Sequence, residues 1–320
     1  MRERPSRPYP RSMDLRRLQH LRLAAEAGSL SAAAARLGLS QPALTKSIRQ
    51  LEEELGVPLL ERRARGVVPT AYGEALLRRT HRVGALLDDA LREIAALRGG
   101  VPDEAVIGAG PTWLREALPE VIAEAVRDRP GLRVRVEAGF DDGLLRSLRN
   151  GGLDAVVAEL PSADEAADLD VLPLTTDDLV VVCRRDHPLS RRRRPVEPAS
   201  LLTYPWALAP RGSRARTRLA ALFGARDLAA PEPALETSST ALLLRFLAAS
   251  DGLGLLARAT LRGTDAAGLA ALDVPDLAVS RRSGIVTRRG AWLPASTRDV
   301  LSRLLRRCGQ SIPEGYGNAP

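Results

Sequence analysis

Aromatic side chains, cysteines and histidines are scarce in this sequence of 320 residues. Phe, Trp and Tyr make up 3% of the chain, too few for a platform on which the bases of single-stranded nucleic acid would stack. The two cysteines, Cys183 and Cys308, stand far apart, and the three histidines are isolated from one another. These spacings fit neither a zinc site nor a catalytic triad. We therefore expect no metal, no cofactor and a reduced, cytoplasmic protein.

Long apolar runs are also missing. No stretch approaches the roughly 18 apolar residues that span a bilayer. The segment before Met13 is rich in Arg and Pro and lacks the apolar centre of a secretory signal. We therefore expect no membrane contact and a disordered extension over 1–12. Both Met1 and Met13 stay open as the start of translation.

Basic charge is plentiful but unevenly distributed. Residues 1–100 contain 18 Lys and Arg against 11 Asp and Glu, a net charge of +7. Residues 101–320 contain 29 against 28, a net charge of +1. A basic end on a near-neutral body indicates a polyanion-binding module joined to a different kind of domain.

The spacing of apolar residues predicts three helices in the basic part, over 15–27, 31–37 and 41–55. In the third helix Leu44, Ile48, Leu51 and Leu55 form one apolar stripe, and the opposite face is polar and basic. A basic, Gly-containing hairpin is predicted after it. This order is typical of a helix-turn-helix whose third helix enters the major groove. An ordinary three-helix bundle with a solvated polar face is the alternative.

Several side chains of this module suit contact with DNA. Gln41 can pair with adenine through two hydrogen bonds, and Lys46 can reach guanine or a phosphate. Thr45 suits a thymine methyl group or a phosphate, while Arg49 and the hairpin arginines suit phosphates. The candidate DNA-binding residues are Ser31, Ser40, Gln41, Pro42, Thr45, Lys46, Arg49, Arg62, Arg63 and Arg65.

A long helix is predicted next, up to Arg98. Apolar residues recur along it at alternating steps of three and four, interrupted by Thr80. A lone helix that exposes such a stripe needs a partner, so we predict a homodimer through this helix. The predicted dimer contacts are Leu76, Val83, Leu87, Ala90, Ile94 and Leu97.

Strands and helices alternate in the rest of the chain, which predicts an α/β domain with mostly parallel sheets. Weak breaks near 161–173 and 261–275 predict two lobes between which the chain crosses twice. The predicted organisation is a DNA-binding domain over 13–72, a linker helix over 73–98, a hinge over 99–102 and an effector domain over 103–320. Within the effector domain, lobe I covers about 103–170 and 268–310, and lobe II about 171–267.

The first part of the chain resembles the LysR-type transcriptional regulators. The likeness runs over about 60 residues. It is carried by Gly28-Ser29-Leu30-Ser31-Ala32-Ala33-Ala34, by Leu39-Ser40-Gln41-Pro42-Ala43-Leu44-Thr45-Lys46-Ser47-Ile48 and by Pro69-Thr70-Ala71-Tyr72-Gly73. It implies a winged helix-turn-helix, a dimerising linker helix and a two-lobed effector domain like the periplasmic binding proteins. It also implies a sequence-specific regulator of promoter DNA that is not an enzyme and forms a homodimer and a tetramer. RNA polymerase is a further implied partner.

Ligand sites are common between lobes, so we expect a small-molecule effector there. Hydroxyls and free N–H groups at predicted helix starts suit a carboxylate, and Arg211 could pair with the same anion. A small organic acid fits this chemistry, while a sugar or an aromatic compound stays open. Each hydroxyl is also suited to plain helix capping, and Phe140 to core packing. The candidate effector residues are Thr112, Phe140, Arg211, Thr237, Ser238 and Ser239.

Two other functions compete with a regulator. An enzyme would need chemistry that this sequence lacks, since it has no Gly-rich phosphate loop and no nucleophile elbow. A solute-capture protein of a transporter would not carry the basic module. We interpret His187 and Cys183 as structural and Asp141 and Asp142 as helix caps. The effector, the target genes and the sign of regulation stay open.

Overall fold

The computed structural model describes residues 14–63, 66–98, 104–191, 194–275, 277 and 279–310. The predicted extension over 1–12, the predicted hinge over 99–102 and Arg65 lie outside the described residues. The chain divides into two compact units. The first reaches Leu91 and includes Arg149–Gly151, and the second comprises the remainder from Arg92 onward.

The first unit begins with three short helices, and the predicted bounds match them within one residue. Its helices and strands are α1 (Leu15–Ala27), α2 (Leu30–Leu37), α3 (Gln41–Leu55), β1 (Leu60–Arg63), β2 (Gly66–Pro69) and α4 (Ala71–Leu97), which extends beyond the unit. β1 and β2 form the predicted hairpin. The helices start where a short polar side chain binds a free backbone N–H, as Asp14, Ser29 and Ser40 do for α1, α2 and α3.

The apolar stripe of α3 forms the core of this unit. Leu44 and Leu51 are fully buried, together with Leu21 of α1. The loop that follows α3 is held by Glu52, whose Oε1 accepts the N–H groups of Leu59 at 2.7 Å and Leu60 at 3.1 Å. The polar face of α3 is therefore left on the outside of the unit, and the hairpin is fixed at the end of the same helix.

The second unit contains helices and strands in alternation, as predicted. They are β3 (Glu104–Ala109), α5 (Pro111–Arg115), α6 (Ala117–Asp128), β4 (Arg133–Ala138), α7 (Asp141–Arg149), β5 (Ala155–Glu159), β6 (Leu169–Arg184), β7 (Trp206–Leu208), α8 (Arg214–Gly224), β8 (Pro233–Glu236), α9 (Thr240–Ala249), β9 (Leu253–Ala257), β10 (Leu269–Ala271), β11 (Val279–Arg288) and α10 (Ala295–Arg307). The strand order is β4-β3-β5-β11-β6-β9-β7-β8, with β10 beside β6.

The expectation of mostly parallel sheets is wrong. β3 pairs in parallel with β4 and β5, and β7 in parallel with β8 and β9. However, β11 is antiparallel to β5 and β6, and β6 is antiparallel to β9 and β10. The reason is that β6 and β11 are the two strands that cross between the lobes, and they run in opposite directions.

β6 is much longer than the strand predicted over Val180–Cys183. It has 16 residues, and Pro173 and several polar side chains in its first part hide the strand pattern. Pairing with β11 from Leu169 to Leu179 supplies backbone hydrogen bonds to this first part of the strand. At the bulge in this pair, a Cβ on Gly284 would lie 2.1 Å from the carbonyl oxygen of Leu172, so only glycine fits there.

Each lobe has a sheet packed between helices. In lobe I, Val157 of β5 faces a core shared with α6 and α10, and the neighbouring Val156 faces a second core built on α7. In lobe II, Trp206 of β7 packs with Phe223 of α8, and Val182 of β6 faces the core built on α9. This arrangement places the ends of β3 and β5 and the starts of α5, α7, α8 and α9 around one cleft.

Candidate functional site

The outer face of α3 carries the predicted DNA contacts in one place. Pro42, Lys46 and Arg49 are exposed, and Thr45 is half-buried beside them. Together with Gln41 they line an open groove that also contains Gln50 and Glu53. Because the apolar stripe is on the other side, this face is not needed for folding and can bind a partner.

Two serines position the start of this helix. The Ser31 hydroxyl on α2 donates a hydrogen bond to Gln41 Oε1 at 2.9 Å. Ser40 accepts the N–H of Ala43 at 3.3 Å and so caps α3. The Ser31 contact restricts the Gln41 side chain before any partner arrives, which lowers the entropy lost on binding.

The hairpin presents further positive charge. Arg62 and Arg63 of β1 are exposed. Arg63 lies 3.6 Å from Glu61, and both side chains are largely open to solvent, so this ion pair is weak. The side chains of Arg62 and Arg63 can therefore bind phosphate groups at little cost in lost contacts within the protein.

α4 exposes the apolar stripe that the heptad pattern predicts. Val83, Leu87, Ile94 and Leu97 are between 44% and 84% exposed, and Ala90 is exposed as well. Leu76, in contrast, packs against the core of the first unit. The pattern missed two more exposed leucines on the same helix, Leu86 and Leu91.

The cleft of the second unit has a volume of about 790 Å³, open solvent included. Residues of both lobes line it, as the resemblance implied. Four of the candidate effector residues are among them, Thr112 and Phe140 from lobe I and Thr237 and Ser238 from lobe II.

The remaining two candidates are not in the lining. Ser239 caps α9, where its hydroxyl oxygen accepts the N–H of Leu242 at 3.2 Å. Arg211 is exposed and lies 3.6 Å from Glu232. Thr237 has a capping contact too, because its Oγ1 accepts the N–H of Ser239 at 3.0 Å.

Sequence reasoning missed the charged side chains of the cleft lining. Arg281 of β11 donates a hydrogen bond to Thr112 Oγ1 at 2.9 Å, and its other terminal nitrogen lies 3.7 Å from Glu159. Glu159 is 4% exposed at the end of β5 and also forms an ion pair with Arg218 of α8. A carboxylate directly after the apolar run 155–158 was a signal for Glu159. The position of Arg281 depends on strand register and had no such signal.

Asp141 is more than the helix cap that the sequence suggested. α7 begins at Asp141, so both Asp141 and Asp142 lie in its first turn. Asp141 lines the cleft. Burial raises its pKa to about 6, with nearby Glu159 acting in the same direction and Arg214 opposing both. The carboxyl therefore stands in a strongly perturbed environment, which is common at functional sites.

His187 and Cys183 lie in lobe II as structural residues. His187 is fully buried, its Nδ1 accepts the N–H of Leu189 at 3.0 Å, and burial lowers its pKa. Burial raises the pKa of the Cys183 thiol to about 11, which makes it a poor nucleophile. Neither group faces the cleft lining.

Comparison with protein families accounts for both units. Residues 15–74 match the family described as bacterial regulatory helix-turn-helix protein, lysR family. Residues 98–309 match the family described as LysR substrate binding domain. The chain belongs to the LysR family. It is a DNA-binding transcriptional regulator with an effector-binding domain, as the sequence resemblance predicted.

Individual relatives agree with this assignment. The chain is 35% identical over 246 residues to the transcriptional regulator GbpR of Azospirillum brasilense, covering 76% of this chain and 72% of the relative. It is 31% identical over 306 residues to CbbR of Xanthobacter flavus, covering 95% and 90%. Full-length OxyR of Pseudomonas aeruginosa has a similar fold, with a TM-score of 0.60 at 22% identity over 92% of this chain and 95% of the other. Within the described ranges, no helix of this LysR-family protein is long and apolar enough to cross a membrane.

Proposed function

We propose that this regulator recognises its promoter through α3. The observation that carries the proposal is the outer face of α3, where Gln41, Thr45, Lys46 and Arg49 stand side by side. Gln41, held by Ser31, would pair with adenine, and Lys46 would pair with guanine or a phosphate. A helix that buries one face and offers hydrogen-bonding groups on the other fits the width of the major groove.

The hairpin acts as a wing in this proposal. Arg62 and Arg63 would bind phosphates beside the groove that α3 enters. Such contacts raise affinity for any DNA and fix the register of α3, but they do not distinguish base sequences.

The exposed stripe of α4 supports a homodimer. Leu87 and Ile94 are about half exposed and lie on one face with Val83 and Leu97. Burial of such side chains against a second copy would remove apolar surface from water. A two-fold dimer presents two recognition helices, so the DNA site would be an inverted repeat. Pairing of dimers into a tetramer is part of the proposal by family resemblance.

The cleft between the lobes is the proposed effector site. A ligand there can alter DNA binding only if it binds two arrangements of the protein with unequal affinity. Thr112, Thr237 and Ser238 from the two lobes line this cleft, so a ligand that contacts all three would favour one lobe arrangement. We propose regulation through this shift and no catalytic step.

DNA binding measured by fluorescence anisotropy tests the proposal. Random-sequence DNA and the DNA upstream of the coding sequence are compared at two salt concentrations, with the wild type and a Gln41→Ala, Lys46→Ala double variant. We expect the wild type to prefer a particular sequence, and the double variant to lose about tenfold or more of that preference, since each good base contact contributes about 1–3 kcal/mol.

Arg22→Ala is the matched control, because Arg22 is on α1 and pairs with Glu26, 3.0 Å away on the same helix. It removes one positive charge, as Lys46→Ala does, but should leave sequence preference unchanged. Equal, salt-sensitive binding of the wild type to all DNAs would contradict sequence-specific recognition by α3.

A further inference from the structure

Three arginines alternate with other residues at the start of α8, and their partners lie in different lobes. They are Arg214, Arg216 and Arg218. Residues four apart on a helix lie on one face, so Arg214 and Arg218 project to the same side and Arg216 to another. Arg216 pairs with Glu236 of β8, which belongs to the same lobe II. The other two arginines reach carboxylates of lobe I.

The contact of Arg218 with lobe I involves a buried carboxylate. Nη2 of Arg218 lies 2.5 Å from Oε1 of Glu159, the last residue of β5. Glu159 is 4% exposed, and its other oxygen, Oε2, lies 3.7 Å from Nη1 of Arg281. A guanidinium group therefore lies near each carboxylate oxygen. Buried charges need such close pairing, since their attraction must offset the cost of removing them from water.

Arg214 makes a second contact with lobe I. Its Nη2 lies 2.9 Å from Oε2 of Glu165, in the loop between β5 and β6, and 3.8 Å from Oδ1 of Asp142 in α7. Both carboxylates are nearly half exposed, so water screens this contact more than the one at Glu159. We therefore expect Arg214 to contribute less than Arg218.

A further ion pair between the lobes starts from lobe I. Arg115 of α5 pairs with Asp265 of lobe II. The side chain of Asp265 is 57% exposed, and ion pairs of such exposed groups contribute little. Among these contacts, the pair of Arg218 with Glu159 is therefore the one whose loss should affect the lobes most.

We propose that Arg214 and Arg218 form a tie between the lobes, with Glu159 as its main anchor, and that this tie holds one lobe arrangement before an effector binds. Separating the lobes removes Arg218 and leaves Oε1 of Glu159 without its cation, so water or a ligand must replace the guanidinium group. An effector then shifts the arrangement by competing with the tie or by adding contacts to it. This last consequence rests on the proposed effector role of the cleft.

The test is the distance between the lobes in the full-length protein, without DNA or ligand. Spin labels are attached at Ala123→Cys on α6 and Ala248→Cys on α9, two exposed positions in different lobes. Cys308→Ala removes a native thiol, and Cys183 is fully buried. Labelled chains are diluted with unlabelled protein, so that pulsed electron–electron double resonance measures the distance within one chain.

The Arg218→Gln variant should lengthen this distance or add a population that is longer by about 3 Å or more, because the separated partners admit at least one water molecule between them. Arg218→Lys keeps the charge and should retain most of the shorter population. Arg216→Gln is the matched control. It removes the same charge from the same helix, but the partner of Arg216 is in lobe II. It should leave the distance unchanged.

A double-variant cycle assigns the effect to the pair. Glu159→Gln should lengthen the distance as Arg218→Gln does, and the double variant should lengthen it no more than either single one. Circular dichroism shows whether each variant is folded. Arg218 is 33% exposed on its side chain, so Arg218→Gln decides the test if the buried Glu159→Gln fails to fold.

Two outcomes would overturn the inference. One is an unchanged distance in folded Arg218→Gln, and the other is an equal change in Arg216→Gln. The measurement uses neither DNA nor effector, so the tie can be present when sequence recognition by α3 fails in the anisotropy test, and the reverse.

Discussion

The residues of the proposed DNA-binding surface lie close together in the sequence, whereas those of the effector cleft lie far apart. Every proposed DNA contact among the described residues lies between Ser31 and Arg63, on neighbouring helices and one hairpin. In the cleft, Thr112 and its hydrogen-bond partner Arg281 are 169 residues apart. The first surface follows from local structure, whereas the second exists only after two crossing strands have placed two lobes together.

The same contrast applies to what holds each region. The DNA-binding module uses short-range contacts such as the Ser40 cap on the N–H of Ala43, three residues away. Lobe I uses a buried carboxylate, Asp154, which is 1% exposed and accepts the hydroxyl of Thr297 at 2.8 Å over a separation of 143 residues. Local and long-range contacts should therefore respond differently to substitution.

Asp154→Ala should have the largest effect on stability. Besides Thr297, Asp154 accepts the N–H of Val106 at 3.0 Å and a guanidinium N–H of Arg92 at 2.7 Å. Removing it leaves buried donors without an acceptor and should lower the free energy of unfolding by about 3–5 kcal/mol. Urea denaturation of the wild type and the variant measures this.

Asp170→Ala is the control in the same lobe. Asp170 is partly exposed and lies 3.5 Å from Arg289, so its loss should cost about 0.5 kcal/mol or less. Equal effects of the two substitutions would show that the long-range contacts of Asp154 do not stabilise the lobe.

Asp141→Asn should stabilise the protein in a pH-dependent way. The pKa of Asp141 in the folded protein is raised from 3.8 to about 6, so the folded state resists its ionisation. The wild type should therefore lose stability as the pH rises from about 4 to about 6. The asparagine variant lacks this loss and should be more stable near pH 7 by about 1–3 kcal/mol, with no difference near pH 4.

Urea denaturation across this pH range compares the wild type with Asp141→Asn and Asp142→Asn. If the free energies of unfolding of the wild type and of Asp141→Asn changed with pH in the same way, the folded state would not oppose the ionisation of Asp141. Burial is the largest cause of the raised pKa of Asp141; among the neighbouring charged groups, Glu159 of β5 raises this pKa, and Arg214 of α8 and Arg281 of β11 lower it.

Ser40→Ala should have the smallest of these effects. It removes one hydrogen bond at the start of α3 and should lower the stability of the DNA-binding module by about 1 kcal/mol. Hydrogen exchange of α3, compared with that of β5, shows whether the change stays within the module. Faster exchange in both regions would contradict the contrast between local and long-range stabilisation.

Sequence patterns predicted the helices of the module almost to the residue because their signals are local. Two signals define α3 without reference to any other helix or strand. They are the capping residue Ser40 and the apolar stripe Leu44, Ile48 and Leu51. The family resemblance rested on the same contiguous stretch, and the family match confirms it. The roles of the individual DNA-binding residues stay predictions.

Less of the structure of the effector domain could be predicted from the sequence. The α/β alternation was predicted, but the antiparallel pairing of β6 and β11 was not, since polar residues and Pro173 conceal the start of β6. Of the candidate effector residues, those at helix starts could be found from capping signals. Arg281 could not, because nothing near it in the sequence shows that it faces Thr112.

By itself, the sequence determined the three helices and hairpin of the DNA-binding module, the exposed stripe of α4 and the family. Each depends on spacing within a few turns of chain, and short-range geometry fixes where those side chains lie. Only the tertiary structure decided the charge of the cleft. Asp141, Glu159 and Arg281 come from α7, β5 and the distant β11, and their effect on a ligand depends on distances of a few ångströms that the tertiary structure sets.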